Sequence, residues 1–183
     1  ICFFNVESFD ELVAINRVSK DVGVNAKISI RVNPDIDPKT HPYISTGLKT
    51  SKFGIAIEDS YDAYIEASKM KNIDVVGIDA HIGSQIFDLQ PFEDSLLRLE
   101  DLYHKLNDLG INIRFIDIGG GLGIKHKDDD IPPTKKEFAE KIIKTMKKIN
   151  CSLILEPGRS LVGNAGYLIS KVLYKKKSNQ KNF

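Results

Sequence analysis

Stretches of consecutive apolar residues recur along the chain, and polar or glycine-rich residues follow each of them. Five stretches have the length of strands, and they cover residues 1–6, 27–32, 74–80, 113–118 and 152–155. Because they are apolar on both faces, they predict parallel strands with helices packed over the sheet.

Segments with helical spacing of apolar residues separate the predicted strands. In the third of them, for example, Phe92, Leu96 and Leu99 recur on one face. Each segment also carries a helix-start signal. These signals are the Ser8–Glu11 and Thr134–Glu137 capping boxes, Asp59 as an N-cap and Pro91 in a first turn.

Strands and helices therefore alternate as βαβαβαβαβ, which predicts an α/β fold with right-handed crossovers. Two architectures fit this order: an open doubly wound sheet and part of a (β/α) barrel. Five strands do not close a standard eight-stranded barrel. Because the first residues already belong to an apolar stretch, we expect the sequence to be part of a longer protein.

Composition narrows the class of protein. Of the 183 residues, 42% are hydrophobic and 28% are charged, which is ordinary for a globular domain. Lys plus Arg number 26 and Asp plus Glu number 25, so no overall field favours nucleic acid or a membrane surface. The two cysteines, Cys2 and Cys151, do not form a disulfide framework. With no signal peptide or membrane-length apolar run, we expect a cytoplasmic protein.

Candidate chemistry lies where the predicted strands end, which is where sites lie in both architectures. All five strands contribute. The residues are Asn5 and Glu7, Arg31 and Asn33, His81 and Ser84, Gly119, Gly120 and Gly121, and Glu156 with Arg159.

Three consecutive glycines, Gly119, Gly120 and Gly121, favour a phosphate site and a tight turn about equally, because both need backbone without Cβ obstruction. Glu156 at the end of a buried strand needs a cation. Arg159 could supply it, or Glu156 could pair with a ligand cation while Arg159 binds an anion. His81 could stack on a flat ring or be a simple turn residue. No motif has metal-ligand spacing, so we expect no metal.

These motifs resemble the pyridoxal-phosphate-dependent decarboxylases built on an alanine-racemase-like barrel, and within them the diaminopimelate decarboxylases. The resemblance extends along almost the whole chain. It is carried by residues 4–8, 31–34, 41–47, 51–55, 81–85, 119–121 and 156–159.

The resemblance implies a partial (β/α)8 barrel over residues 1–166 and the start of a passage into a further β domain over residues 167–183. It implies the cofactor pyridoxal 5'-phosphate and a homodimeric enzyme that converts meso-2,6-diaminopimelate to L-lysine and CO2. His81 would stack on the pyridine ring, and Glu156 would pair with its nitrogen. Ser84, the backbone of Gly119, Gly120 and Gly121, and the Gly158–Arg159 segment would hold the phosphate. Arg159 would also contact a substrate carboxylate.

The cofactor-binding lysine of such enzymes lies in a Tyr-Ala-x-Lys type of motif, which is not found in this sequence. We therefore expect it upstream, with no catalytic residue in these 183 residues and no activity from them alone. Two kinds of alternative stay open. One is a decarboxylase for another diamino acid or for carboxynorspermidine, and the other is a non-catalytic barrel homologue.

Overall fold

The computed structural model describes residues 1–38, 46–47, 51–178 and 181–182. Residues 41–45 of the motif noted above lie outside the described part. The strands are β1 (Phe4–Val6), β2 (Ala26–Asn33), β3 (Ile55–Ala56), β4 (Ile73–Asp79), β5 (Phe115–Asp117) and β6 (Ser152–Ile154). The helices are α1 (Phe9–Val22), α2 (Ile57–Lys69), α3 (Gln90–Asp108), α4 (Lys135–Met146) and α5 (Gly158–Val162).

Most of the predicted helix starts are confirmed. The Ser8 side chain accepts from the Glu11 N–H at the start of α1, although the Glu11 carboxylate accepts from the Glu7 N–H and not from that of Ser8. The capping box that opens α4 is complete, and a proline lies in the first turn of α3. The Asp59 N-cap is wrong, because α2 already begins at Ile57 and Asp59 lies in its first turn. An acidic residue there still stabilises the positive end of the helix dipole.

The sheet settles which of the two architectures is present. Its strands are all parallel, and β1, β2, β4, β5 and β6 are neighbours in the order in which the chain makes them. A doubly wound sheet would reverse that order at a switch point. Strands added always on the same side form the arc of a (β/α) barrel.

The two faces of this arc differ. Side chains alternate across each strand, and one face carries apolar residues such as Ile28, Ile30 and Ile78, which are buried in the core shared with the helices. The opposite face carries Asn5, Arg31 and other polar groups that line a common cavity. The expectation of strands apolar on both faces is therefore wrong for the strand ends, where polar residues occupy the inner face.

One strand was not predicted. β3 has two residues and extends the pairing of β2 through Val32 and Ile55. Two residues are too few to show a periodic pattern. Beyond α5, residues 167–174 are exposed and have no helix or strand, and the domain boundary at residue 166 stays a prediction.

Candidate active site

The inner face of the sheet carries a row of charged residues at the end of its strands. Arg31 on β2 is the register neighbour of Asp79 on β4, and Asp79 is the register neighbour of Asp117 on β5. Neighbouring strands lie about 4.8 Å apart, so these side chains lie close together. Arg31 and Asp79 border a cavity of about 300 Å³, which is also lined by Asn5, Glu7, His81 and Glu156.

Arg31 is the cation of this cavity. Its guanidinium Nη1 donates to the Glu7 carboxylate over 2.7 Å, and the guanidinium carbon lies 5.0 Å from the centre of the Phe53 ring. The Gly54 N–H donates to the other oxygen of Glu7 over 3.2 Å. Glu7 thus ties the segment before β3 to the ends of β1 and β2, and it neutralises Arg31.

Two buried carboxyl groups belong to this row: Asp79 lines the cavity, and Asp117 is its register neighbour on β5. Asp79 and Asp117 are each 3% exposed. Burial, and then the charge of Asp117, raise the pKa of Asp79 to about 8. Burial also raises the pKa of Asp117, although hydrogen bonds from the Gly119 N–H and the Asn5 side chain oppose that effect. Asp79 Oδ1 is buried without a hydrogen-bond partner among the described residues.

His81 borders the cavity as a neutral ring. Burial, and then the charge of Arg31, lower its pKa. Its Nδ1 accepts a hydrogen bond from the Gly120 N–H over 3.2 Å, which places the proton of the neutral ring on Nε2. A neutral flat ring held at one edge can stack on another ring.

The glycine triplet is where three strand ends pack against one another. Gly119 has a φ of +65°, and a Cβ there would collide with the His81 ring. A Cβ at Gly120 would collide with the Glu156 carbonyl oxygen. Packing alone therefore demands glycine at these two positions. The N–H groups of Gly119 and Gly120 both donate within the chain, to Asp117 and His81.

Glu156 and Arg159 do not form an ion pair with each other. Both side chains are exposed and lie in the described part of the chain, and the structure has no ion pair between them. Arg159 Nη1 lies 3.3 Å from His126 Nε2. Partial desolvation of the carboxyl group, and then the charge of Asp117, raise the pKa of Glu156, whereas Arg31 lowers it. The purely structural explanation of Glu156 as the partner of Arg159 is wrong.

The structure brings together some of the predicted site residues. His81 and Glu156 line one cavity. Gly119 and Gly120 contact both of them through the backbone, with the Glu156 N–H donating to the Gly119 carbonyl oxygen over 2.8 Å. Ser84 and Gly121 lie in the adjoining loops, while Gly158 and Arg159 begin α5. None of these four lines the cavity that contains His81.

Three residues of the site were not predicted. Asp79 and Asp117 stand inside the apolar stretches that predicted β4 and β5, and a single carboxylate in such a stretch was the available signal. The third is Gln85, whose side-chain amide donates to the Ile124 carbonyl and accepts from the Ile124 N–H. It joins the loops after β4 and β5, and although it belongs to the motif of residues 81–85, no role was predicted for it.

The described residues contain no group of three or more His, Cys, Asp or Glu side chains that could hold a metal ion. None of the helices formed by those residues has the length and apolar character needed to cross a membrane.

Comparison with known proteins gives the family. The pattern described as "Pyridoxal-dependent decarboxylase, pyridoxal binding domain" matches residues 1–163. The chain belongs to the pyridoxal-dependent decarboxylase family. It is 46% identical over its whole length to the diaminopimelate decarboxylase of Aquifex aeolicus. Over 98% of its length it is 47% identical to that of Pseudomonas aeruginosa.

The solved structures agree. The diaminopimelate decarboxylase of Helicobacter pylori, complexed with L-lysine, matches the whole chain with a TM-score of 0.89 and 41% identity. The barrel fold predicted from the resemblance is thereby confirmed. The chain spans 44% and 43% of the two sequence relatives and 45% of the Helicobacter pylori chain.

The residues present fit pyridoxal phosphate, the cofactor of the family. The neutral ring of His81 borders the cavity beside the carboxyl group of Glu156. Gly158 has nothing within 4 Å of the place where a Cβ would stand. No contact with the described residues therefore requires glycine at 158, whereas close approach of a phosphate group to the backbone would.

Proposed function

We propose that the chain supplies the cofactor-binding part of a diaminopimelate decarboxylase, which releases CO2 from meso-2,6-diaminopimelate and leaves L-lysine. This is the last step of lysine biosynthesis. Identities of 46% and 47% along almost the whole chain support the proposal. The observation that carries it is the shared cavity of His81 and Glu156, flanked by Asp79 and Arg31.

Each predicted residue has a role in this proposal. His81 packs against one face of the pyridine ring, and its neutral state avoids repulsion with the protonated ring nitrogen. Glu156 pairs with that nitrogen. Ser84, Gly121 and the Gly158–Arg159 segment contact the phosphate, together with Gly119 and Gly120. Arg159 also contacts a substrate carboxylate.

Pyridoxal phosphate, when bound, supplies the electron sink that accepts the charge left on the α-carbon as CO2 departs. The contribution of this chain is electrostatic. The carboxylates of Asp117 and Glu156 outnumber the guanidinium of Arg31, which Glu7 already neutralises. The resulting negative potential favours a cation at the cavity and keeps the ring nitrogen protonated.

A decarboxylation assay on the full-length protein tests the proposal. We expect CO2 release from meso-diaminopimelate to exceed that from ornithine or arginine. Glu156→Gln should lower kcat by on the order of 100-fold, because an interaction with developing charge is lost. Glu140→Gln, on the exposed side of α4, is the matched control and should leave kcat unchanged.

Two outcomes of this assay would overturn the proposed function. Preferred release of CO2 from another diamino acid or from carboxynorspermidine would assign a different decarboxylase. Binding of pyridoxal phosphate without turnover of any of these compounds would identify a non-catalytic homologue.

We further propose a homodimer in the cytoplasm, with the barrel domain ending near residue 166. The family match ends at residue 163, which supports the boundary, and the free cysteines Cys2 and Cys151 suit a reducing compartment. Light scattering on the full-length protein should give twice the monomer mass. A monomer at micromolar concentration would contradict the dimer.

A further inference from the structure

The Asp79–Asp117 pair is the least explained feature of the cavity. Both carboxyl groups are almost fully buried, on neighbouring strands and in direct register. Two ionised carboxylates in such a position repel each other strongly, and burial adds to the cost of each charge. One of the two therefore keeps a proton more readily than an isolated aspartic acid does.

Hydrogen bonds decide which of the two keeps it. Asp117 Oδ1 accepts from the Gly119 N–H over 2.9 Å, and the Asn5 side chain also donates to this carboxylate. Both bonds stabilise the ionised form of Asp117. Asp79 Oδ1, in contrast, is buried without a partner among the described residues. Leaving a buried carboxyl oxygen without a hydrogen-bond partner costs less free energy when the group is a neutral acid than when it is ionised.

We propose that Asp79 carries the shared proton of the Asp79–Asp117 pair at neutral pH and serves as a positioning residue that limits the negative charge next to Glu156. The Asp117 charge already raises the pKa of Glu156. A second negative charge on Asp79 would raise it further and make Glu156 a poorer partner for a cation. The neutral Asp79 thus leaves Glu156 ionised.

The charged groups that face Asp79 in the described part of the chain bear on its titration. Asp117 on β5, Glu156 after β6 and Glu7 after β1 favour the neutral form, whereas Arg31 on β2 favours the ionised form. His81 at the end of β4 is neutral, and so is Tyr64 of α2, because burial raises the pKa of its hydroxyl well above the usual value. Arg31 is already bound to Glu7, so it does not offset the combined effect of burial and the three carboxyl groups.

Carbon-13 NMR of the full-length protein in its cofactor-free form, labelled at the aspartate side-chain carboxyl carbons, tests this directly. We expect one aspartate signal with a midpoint near pH 8 and its absence in Asp79→Asn. Asparagine has the shape of a neutral aspartic acid, so the variant should fold. Titration of all aspartates below about pH 6, or survival of the alkaline signal in Asp79→Asn, would refute the proposal.

Substitutions at two neighbouring residues should shift the titration midpoint of Asp79 in opposite directions. Asp117→Asn removes a negative charge and should lower the Asp79 midpoint by about one pH unit or more, whereas Arg31→Gln removes a positive charge and should raise it. An Asp79 that is not coupled to these two charges would show neither shift. Either variant alone decides the question, so one that failed to fold would leave the other as the test, and an unmoved midpoint would contradict the proposal.

The role of Asp79 towards Glu156 rests on the proposed function, but the titration of Asp79 does not. A protein that shows the alkaline aspartate and no decarboxylase activity would refute the proposed function alone. A decarboxylase without that aspartate would refute the role of Asp79 alone.

Discussion

The Arg31 guanidinium donates to Glu7 over 2.7 Å and stacks on Phe53 from the same position. The Arg31 side chain is 16% exposed, so solvent weakens the interaction with Glu7 only in part. One guanidinium thereby joins β1, β2 and the segment that leads into β3.

Replacing Arg31 by Gln should lower the free energy of unfolding by about 1–3 kcal/mol, because Glu7 loses a charge-assisted hydrogen bond and the Phe53 ring loses one of the two cations over it, Lys52 being the other. Urea unfolding of the full-length protein measures the loss. Arg114→Gln is the matched control. Its ion pair with Asp74 is also 2.7 Å long, but the two side chains are 42% and 45% exposed, and we expect a loss of less than about 1 kcal/mol. Equal losses of unfolding free energy in the two variants would contradict the larger stabilisation expected from Arg31.

Tyr64 supports the sheet where its ladder is irregular. The register between β2 and β4 shifts between Ile28 and Ser29, and the buried Tyr64 hydroxyl donates to the Gly77 carbonyl over 2.8 Å and accepts from the Ile30 N–H over 3.3 Å. Tyr64→Phe would leave these buried backbone groups without that partner and should cost about 1–3 kcal/mol in urea unfolding. Tyr61→Phe, on the same helix but only half-buried, should cost less. An unchanged free energy of unfolding in Tyr64→Phe would show that water replaces the hydroxyl.

The sequence predicted the parts of the fold that depend on local signals. The five predicted strands, the capping box of α4 and the apolar face of α3 were all confirmed, although β1, β5 and β6 are shorter than the apolar stretches that predicted them. The two-residue β3 and the true start of α2 were not predicted, because pairing with β2 sets the first and the chain leaving β3 sets the second. Neither depends on the pattern of side chains that a sequence displays.

The candidate site was predicted only from its strand ends. His81 and Glu156 were named, and they line the same cavity. Asp79 and Asp117 were missed, since the register between strands makes them neighbours and register cannot be read from either strand alone. Strand order, which separates a barrel from a doubly wound sheet, is likewise a property of the folded chain.

The pKa of Asp79 makes stability depend on pH in a defined direction. In the unfolded chain this group titrates near 3.8, and in the folded protein near 8. Between these values the folded protein holds the extra proton, so the free energy of unfolding falls as pH rises. Asp79→Asn removes this dependence. Its stability relative to wild type should improve from pH 5 to pH 9, by on the order of a few kcal/mol.

Thermal unfolding of both proteins at pH 5, 7 and 9 measures the change. Asp129→Asn removes one exposed carboxylate and serves as the control for net charge. It should follow wild type at all three values. A constant difference between Asp79→Asn and wild type would show that Asp79 titrates alike in the folded and unfolded states.

The last prediction separates packing from ligand binding at two glycines near Glu156. A methyl group at Gly120 would collide with the Glu156 carbonyl oxygen, whereas one at Gly158 would meet no atom of the described residues within 4 Å. Gly120→Ala should therefore destabilise the cofactor-free protein by about 1–3 kcal/mol and also weaken the binding of pyridoxal phosphate.

Gly158→Ala should leave the melting temperature of the cofactor-free protein unchanged. If the phosphate lies against this backbone, Gly158→Ala should still weaken cofactor binding, by roughly tenfold for a loss of about 1.4 kcal/mol. Titration of the cofactor-free variants with pyridoxal phosphate, followed by absorbance, gives both affinities. Wild-type affinity in Gly158→Ala would remove this residue from the phosphate site.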